Sequence, residues 1–136
     1  MTLRGKHSLG LDRTLNAVRD IGMLVTDNER YAIYDLDVNE LTLSVTELKP
    51  RQETRGHSHE DASEIYFFIS GSGRMQVGIE QYYVEKGSLL FVPGGEFHKV
   101  INLSKERLVF GAVFQGDRYS KRYKYKSSVR DTNSLQ

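Results

Sequence analysis

The 136-residue sequence has no cysteine, no tryptophan and only two prolines, and its charges nearly cancel, with 19 Lys plus Arg against 18 Asp plus Glu. The absence of cysteine excludes a disulfide scaffold, a thiolate metal site and a thiol nucleophile. A net charge of +1 leaves no global attraction to nucleic acid or anionic membrane, so any affinity for phosphate has to be local. Long apolar runs are also missing. Arg4, Lys6, His7, Asp12, Arg13 and Arg19 interrupt the stretch from Met1 to Asp20, which therefore does not resemble a signal peptide, and no later run reaches membrane-spanning length. The expectation is a single soluble, cytoplasmic domain with room for a core and a small pocket.

What the chain does contain is period-two alternation. Before residue 40 the pattern is weak: Leu15, Val18, Ile21 and Gly22 suit a short amphipathic helical turn, and Tyr31, Ile33 and Leu36 suit a strand. From residue 41 onward Leu41, Leu43 and Val45 alternate with Thr42, Ser44 and Thr46, the signature of a strand with one dry face. Further strands are predicted over Glu64 to Ser70, Arg74 to Ile79, Gln81 to Glu85, Ser88 to Val92, Phe97 to Ile101 and Arg107 to Phe114, with Gly71-Ser72-Gly73, Glu85-Lys86-Gly87 and Pro93-Gly94-Gly95 as the turns between them. Short strands at such intervals, with no helix between them, predict an all-β antiparallel sandwich or barrel. The chain divides accordingly into an N-terminal extension (1–40), a β core (41–116) and a polar tail (117–136). The tail carries Arg118, Lys121, Arg122, Lys124, Lys126 and Arg130 among Tyr119, Tyr123 and Tyr125. Such a run can bind single-stranded nucleic acid, but a solvated end or a phosphate grip at a barrel mouth fits the neutral overall balance better.

Three of the four histidines, His57, His59 and His98, lie in the β region. Positions i and i+2 of a strand face the same way, so His57 and His59 can aim into one interior. Glu64 opens a strand on which it shares a face with Tyr66 and Phe68, and His98 follows a Pro-Gly-Gly turn. Imidazoles with one carboxylate suit a divalent transition metal (Fe, Mn, Ni or Zn) with positions left open for water or substrate. On their own the same residues could equally be ordinary surface histidines beside a charged loop.

A family resemblance, carried by two series of residues, decides between these readings. His57, His59, Glu64 and Gly71 form one series; Gly87, Pro93, Gly95, His98 and Asn102 form another. Together they resemble the two motifs of the cupin superfamily. The second series matches at every fixed position. In the first, Arg51 stands where the family usually has glycine. The resemblance covers about residues 41–114 and implies a single jelly-roll barrel, the double-stranded β-helix, with metal held by His57, His59, Glu64 and His98. It also implies that the N-terminal extension is an arm between the subunits of a homodimer.

A finer resemblance rests on Thr54-Arg55-Gly56-His57-Ser58-His59, Glu64-Ile65-Tyr66 and Gly71-Ser72-Gly73-Arg74-Met75. These are similar to the cupin-type glucose-6-phosphate isomerases of archaea. That likeness implies a small-molecule substrate, a sugar or sugar phosphate, gripped by Thr54 and the backbone of Gly56. Glu64 and Tyr66 would be the catalytic groups, Glu64 as ligand or base and Tyr66 as a hydrogen-bond donor. An Fe(II) dioxygenase and a non-catalytic binding module are the competing classes.

Overall fold

The computed structural model describes residues 18, 20, 22–58 and 62–116. They form nine strands: β1 (Met23–Asp27), β2 (Tyr31–Val38), β3 (Leu41–Leu48), β4 (Glu64–Ser70), β5 (Ser72–Val77), β6 (Glu80–Glu85), β7 (Leu89–Val92), β8 (His98–Ile101) and β9 (Leu108–Gln115). One sheet has six strands in the order β1-β2-β3-β9-β4-β7, and the other has three in the order β6-β5-β8. All pairings are antiparallel. The result is an all-β jelly-roll barrel. Its large sheet includes two strands that precede residue 41. No helix among the described residues is long and apolar enough to cross a membrane.

The helical turn predicted near Val18 is present, with the Gly22 N–H donating to the Val18 carbonyl at 2.8 Å. Leu15 and Ile21, also read into that turn, lie outside the described residues, as does the basic tail from residue 117.

The interior is built from Tyr31 and Ile33 of β2, Leu48 of β3, Tyr66 and Phe68 of β4, Met75 of β5, Val100 of β8 and Leu108, Phe110 and Ala112 of β9. Register then fixes which side of β3 faces this core. Thr46 lies opposite Ile33 and Phe110, Ser44 opposite Asp35 and Ala112, and Thr42 opposite Asp37 and Phe114. Directly opposed residues share a face, so the hydroxyl side of β3 points into the barrel, where all three residues are completely buried. The aliphatic side, which alternation alone assigns to the core, points outward. There Val45 packs with Val18, Ile69 and Val109, flanked by Tyr34, Leu36, Leu43 and Phe67. From Thr42 to Thr46, β3 is thus polar on its inner side and apolar on its outer side.

At the end of β8 away from His98, Asn102 is a hub. Its amide group donates to the carbonyls of Leu48 (3.1 Å), Lys49 (3.1 Å) and Glu106 (2.7 Å), and its Oδ1 accepts from the Ser104 N–H and hydroxyl, both at 3.0 Å. One buried side chain thereby ties the end of β3 to the loop between β8 and β9.

Arg51, in the glycine position of the first motif, has φ = 64°. This left-handed conformation costs a side-chain-bearing residue about 1–2 kcal/mol, whereas glycine adopts it freely. Arg51 is exposed, and its N–H donates to the Ser104 carbonyl at 3.1 Å. Arg51→Gly is therefore expected to raise the unfolding free energy by up to about 1 kcal/mol, part of the relief being offset by the added freedom of the unfolded chain. Urea denaturation checks this, and a loss of stability would contradict it.

Candidate metal centre

Glu64 is the first residue of β4 and faces inward with Tyr66 and Phe68, as its alternation requires. His98 is the first residue of β8. His57 precedes β4 on an extended segment that runs beside β8: Glu53 bridges to Ile101 and His57 to His98. The His57 N–H donates to the His98 carbonyl at 3.1 Å and the His98 N–H to the His57 carbonyl at 2.9 Å. The two histidines are thus held directly opposite each other by their own backbones, with ring centroids 4.6 Å apart and planes at 78°.

The ligand atoms of His57, Glu64 and His98 all lie within 4.8 Å of one another, and all three residues are buried. That spread is close to twice the metal–ligand distance of about 2.1 Å typical of nitrogen and oxygen donors. The tautomer of His98 also fits. Its Nδ1 lies 2.9 Å from the Glu96 carbonyl, an atom that can only accept, so Nδ1 carries the proton. Nε2, 3.2 Å from Glu64 Oε2, then offers its lone pair toward a carboxylate. Two electron-rich atoms at that separation need a shared cation, a proton or a metal ion. An imidazole whose far nitrogen donates to a carbonyl is the usual outer support of a metal-binding histidine. The donor set therefore fits a divalent ion.

His59, the fourth ligand implied by the motif, lies outside the described residues. Tyr66 is buried beside the group, its ring 5.6 Å from that of His98 and stacked on Phe110 at 5.7 Å. Thr54 is buried, and its hydroxyl accepts the Val100 N–H at 2.9 Å while its own N–H donates to the Val100 carbonyl at 2.9 Å. Thr54 thus fastens the His57 segment to β8. Gly56 sits between them at φ = 84°. One contributor carries no signal in the sequence. The Glu96 carbonyl orients His98 through a backbone atom, which leaves no residue-type signal.

Comparison with known proteins agrees with this geometry. The Cupin domain family profile matches residues 44–114. The glucose-6-phosphate isomerase of Thermococcus onnurineus is 28% identical over 112 residues, covering 70% of this chain and 59% of that protein. An uncharacterized protein of Streptomyces coelicolor is 40% identical over 43 residues, covering 32% of this chain and 41% of its own length. The chain thus spans 41% and 59% of the lengths of these two curated relatives. Among solved structures, a mutant of Bacillus subtilis oxalate decarboxylase superposes with a TM-score of 0.67 at 23% identity, covering 78% of this chain and 30% of that one. The TT1209 protein of Thermus thermophilus gives 0.62 at 24% identity, covering 66% and 87%. These two share the fold. The matched family segment, its paired motifs and the converging His57, Glu64 and His98 together establish that the chain belongs to the cupin family.

Proposed function

We propose that the protein is a metal-dependent cupin enzyme that interconverts the aldose and ketose forms of a small sugar or sugar phosphate. The observation that carries this reading is the group of His57, Glu64 and His98, three buried metal-ligating side chains that converge inside the barrel. Support also comes from the Thermococcus relative, whose name records glucose-6-phosphate as its substrate.

In this reading His57, His59, Glu64 and His98 hold a divalent transition ion, Fe, Mn, Ni or Zn, which when bound acts as a Lewis acid toward adjacent carbonyl and hydroxyl oxygens. Glu64 also serves as the base that takes the proton from C2 and returns it to C1, while a second proton passes from O2 to O1. Tyr66 donates a hydrogen bond to a sugar oxygen, and Thr54 and the Gly56 backbone line the approach. The protein works as a homodimer. The outer face of the large sheet favours pairing, because Leu41, Ile65, Leu89 and Phe91 leave an apolar surface exposed there.

The test is an isomerase assay on glucose 6-phosphate and on free glucose with Mn(II), Fe(II), Ni(II) or Zn(II) restored under anaerobic conditions. Turnover that needs metal, needs no oxygen and is lost in Glu64→Gln supports the proposal. A protein that binds one ion per chain yet turns over neither sugar is not this enzyme. Oxygen consumption that requires Fe(II) would place it among the dioxygenases instead.

A further inference from the structure

The segment that carries His57 is not a regular strand. Between the bridge of Glu53 to Ile101 and the bridge of His57 to His98 lie Thr54, Arg55 and Gly56 on one side, but only Lys99 and Val100 on the other. One extra residue is therefore inserted on the His57 side, which makes a β-bulge. Its effect appears in burial. Thr54 and His57 are both buried although they are three positions apart, with Arg55 exposed between them. In a pleated strand residues three apart face opposite ways. Without the insertion, a segment that keeps Thr54 inside would turn His57 away from Glu64 and His98.

Gly56 is the residue that permits the bulge. Its φ of 84° belongs to the left-handed region, and an added Cβ would lie 2.4 Å from Phe97 Cζ, 2.9 Å from Phe97 Cε1 and 3.2 Å from Lys99 Cβ. The Phe97 ring thus lies directly against the Gly56 backbone. Phe97 immediately precedes His98, and its carbonyl accepts the Gly78 N–H at 2.7 Å, which anchors the segment to the turn after β5. Neither Gly56 nor Phe97 supplies a ligand atom. Each adjoins a histidine, and they meet at the point where the strand departs from regular geometry.

We propose that Gly56 and Phe97 form a positioning pair: the glycine allows the bulge that turns His57 inward, and the phenyl ring packed on it holds that bulge against β8. The part of this inference that concerns metal affinity rests on the metal reading above; the part that concerns the position of His57 does not.

The test compares wild type with Gly56→Ala, Phe97→Ala, Phe97→Leu and the double variant Gly56→Ala/Phe97→Ala. Each is measured for amide hydrogen exchange at His57 and His98 in metal-free protein and for Co(II) affinity by visible absorption. In Gly56→Ala the new methyl and the ring compete for one space. The expected result is faster exchange at both histidine amides, unchanged protection in β3, β4 and β9, and Co(II) affinity lowered at least about 10-fold, the lower range for lost outer support of a metal ligand. Removing the ring makes room for the methyl. The double variant should therefore regain part of both losses, although the left-handed backbone still strains alanine.

Phe97 is 41% exposed, so its removal leaves the core intact and keeps the question answerable should Gly56→Ala fail to fold. Phe97→Ala is expected to show a smaller loss in both readouts, with Phe97→Leu closer to wild type. The proposal is overturned if Gly56→Ala retains wild-type exchange at His57 and His98, if the double variant is no better than that single one, or if Phe97→Ala changes neither readout. A wild-type protein that binds no Co(II) refutes the metal reading, while the exchange series still decides the positioning pair.

Discussion

His98→Ala should lower the affinity for Mn(II) or Co(II) by more than about 100-fold, because loss of a mere outer-shell partner already costs about 10- to 100-fold. The substitution deletes a ligand nitrogen and also strands the Glu96 carbonyl that orients it. It should weaken the metal-free fold as well. His98 and Glu64 face each other at 3.2 Å with side chains 2% and 0% exposed, and truncating a fully buried ring leaves a cavity where the surrounding side chains lose their contacts. The counterpart is metal-linked stabilisation of the wild type. An ion at 100 times its dissociation constant adds about 2.7 kcal/mol, an increment His98→Ala should lack. Titration calorimetry and thermal unfolding with and without Mn(II) measure both effects. Affinity must also fall as pH falls, because a protonated imidazole has no lone pair to give. If His98→Ala still takes up one ion per chain with wild-type affinity, the ligand assignment is wrong.

The second large effect lies at the opposite end of the barrel. Asn102→Ala removes donors to the carbonyls of Leu48, Lys49 and Glu106 and the acceptor for Ser104. Buried groups left without partners cost about 1–3 kcal/mol each. Some of these carbonyls regain water at the loop, so the expected loss is about 3 kcal/mol, or roughly 10 °C in Tm for a domain of this size. Asn102→Asp should be at least as damaging, because it sets a carboxylate against three carbonyl oxygens. Metal affinity of the folded fraction should stay near wild type in both variants. A Tm within two or three degrees of wild type would show that the hub is dispensable.

Much of this molecule is legible in its residue order. The predicted limits of β4 match the observed Glu64–Ser70, and β6, β7, β8 and β9 start or end within a residue of expectation, because apolar alternation bounded by Gly and Pro turns is a local signal. Three features escaped for physical reasons. Strand β1, Met23–Asp27, is a largely exposed edge with little alternation to betray it. Strand β5 begins at Ser72, inside what reads as a turn. Gly73 belongs to the strand because the Ile101 carbonyl comes so close that a Cβ would lie 2.3 Å from it, a requirement set by a partner far away in sequence. The sidedness of β3 was inverted because alternation reports two chemically different faces without saying which one meets the interior. In the candidate site, spacing pointed to His57, Glu64 and His98. It gave no sign of the bulge at Gly56, because a bulge is a relation between two segments and not a property of one.

That inverted strand has a consequence for how the barrel reaches its final form. Usually a strand that slips by one position pays for it by exposing leucines, but β3 is buried on both sides, so desolvation alone scarcely opposes such an error. The choice falls to the hairpin before it. Val38 pairs with Leu41 across Asn39 and Glu40, with Asn39 at φ = 56°. This two-residue reversal counts out the strand and so decides which of its two sides is turned toward the barrel interior. Lengthening it by a single residue would turn the leucine side inward and the hydroxyl side outward, making the reversal a determinant of the interior's chemistry although it contributes no atom to it.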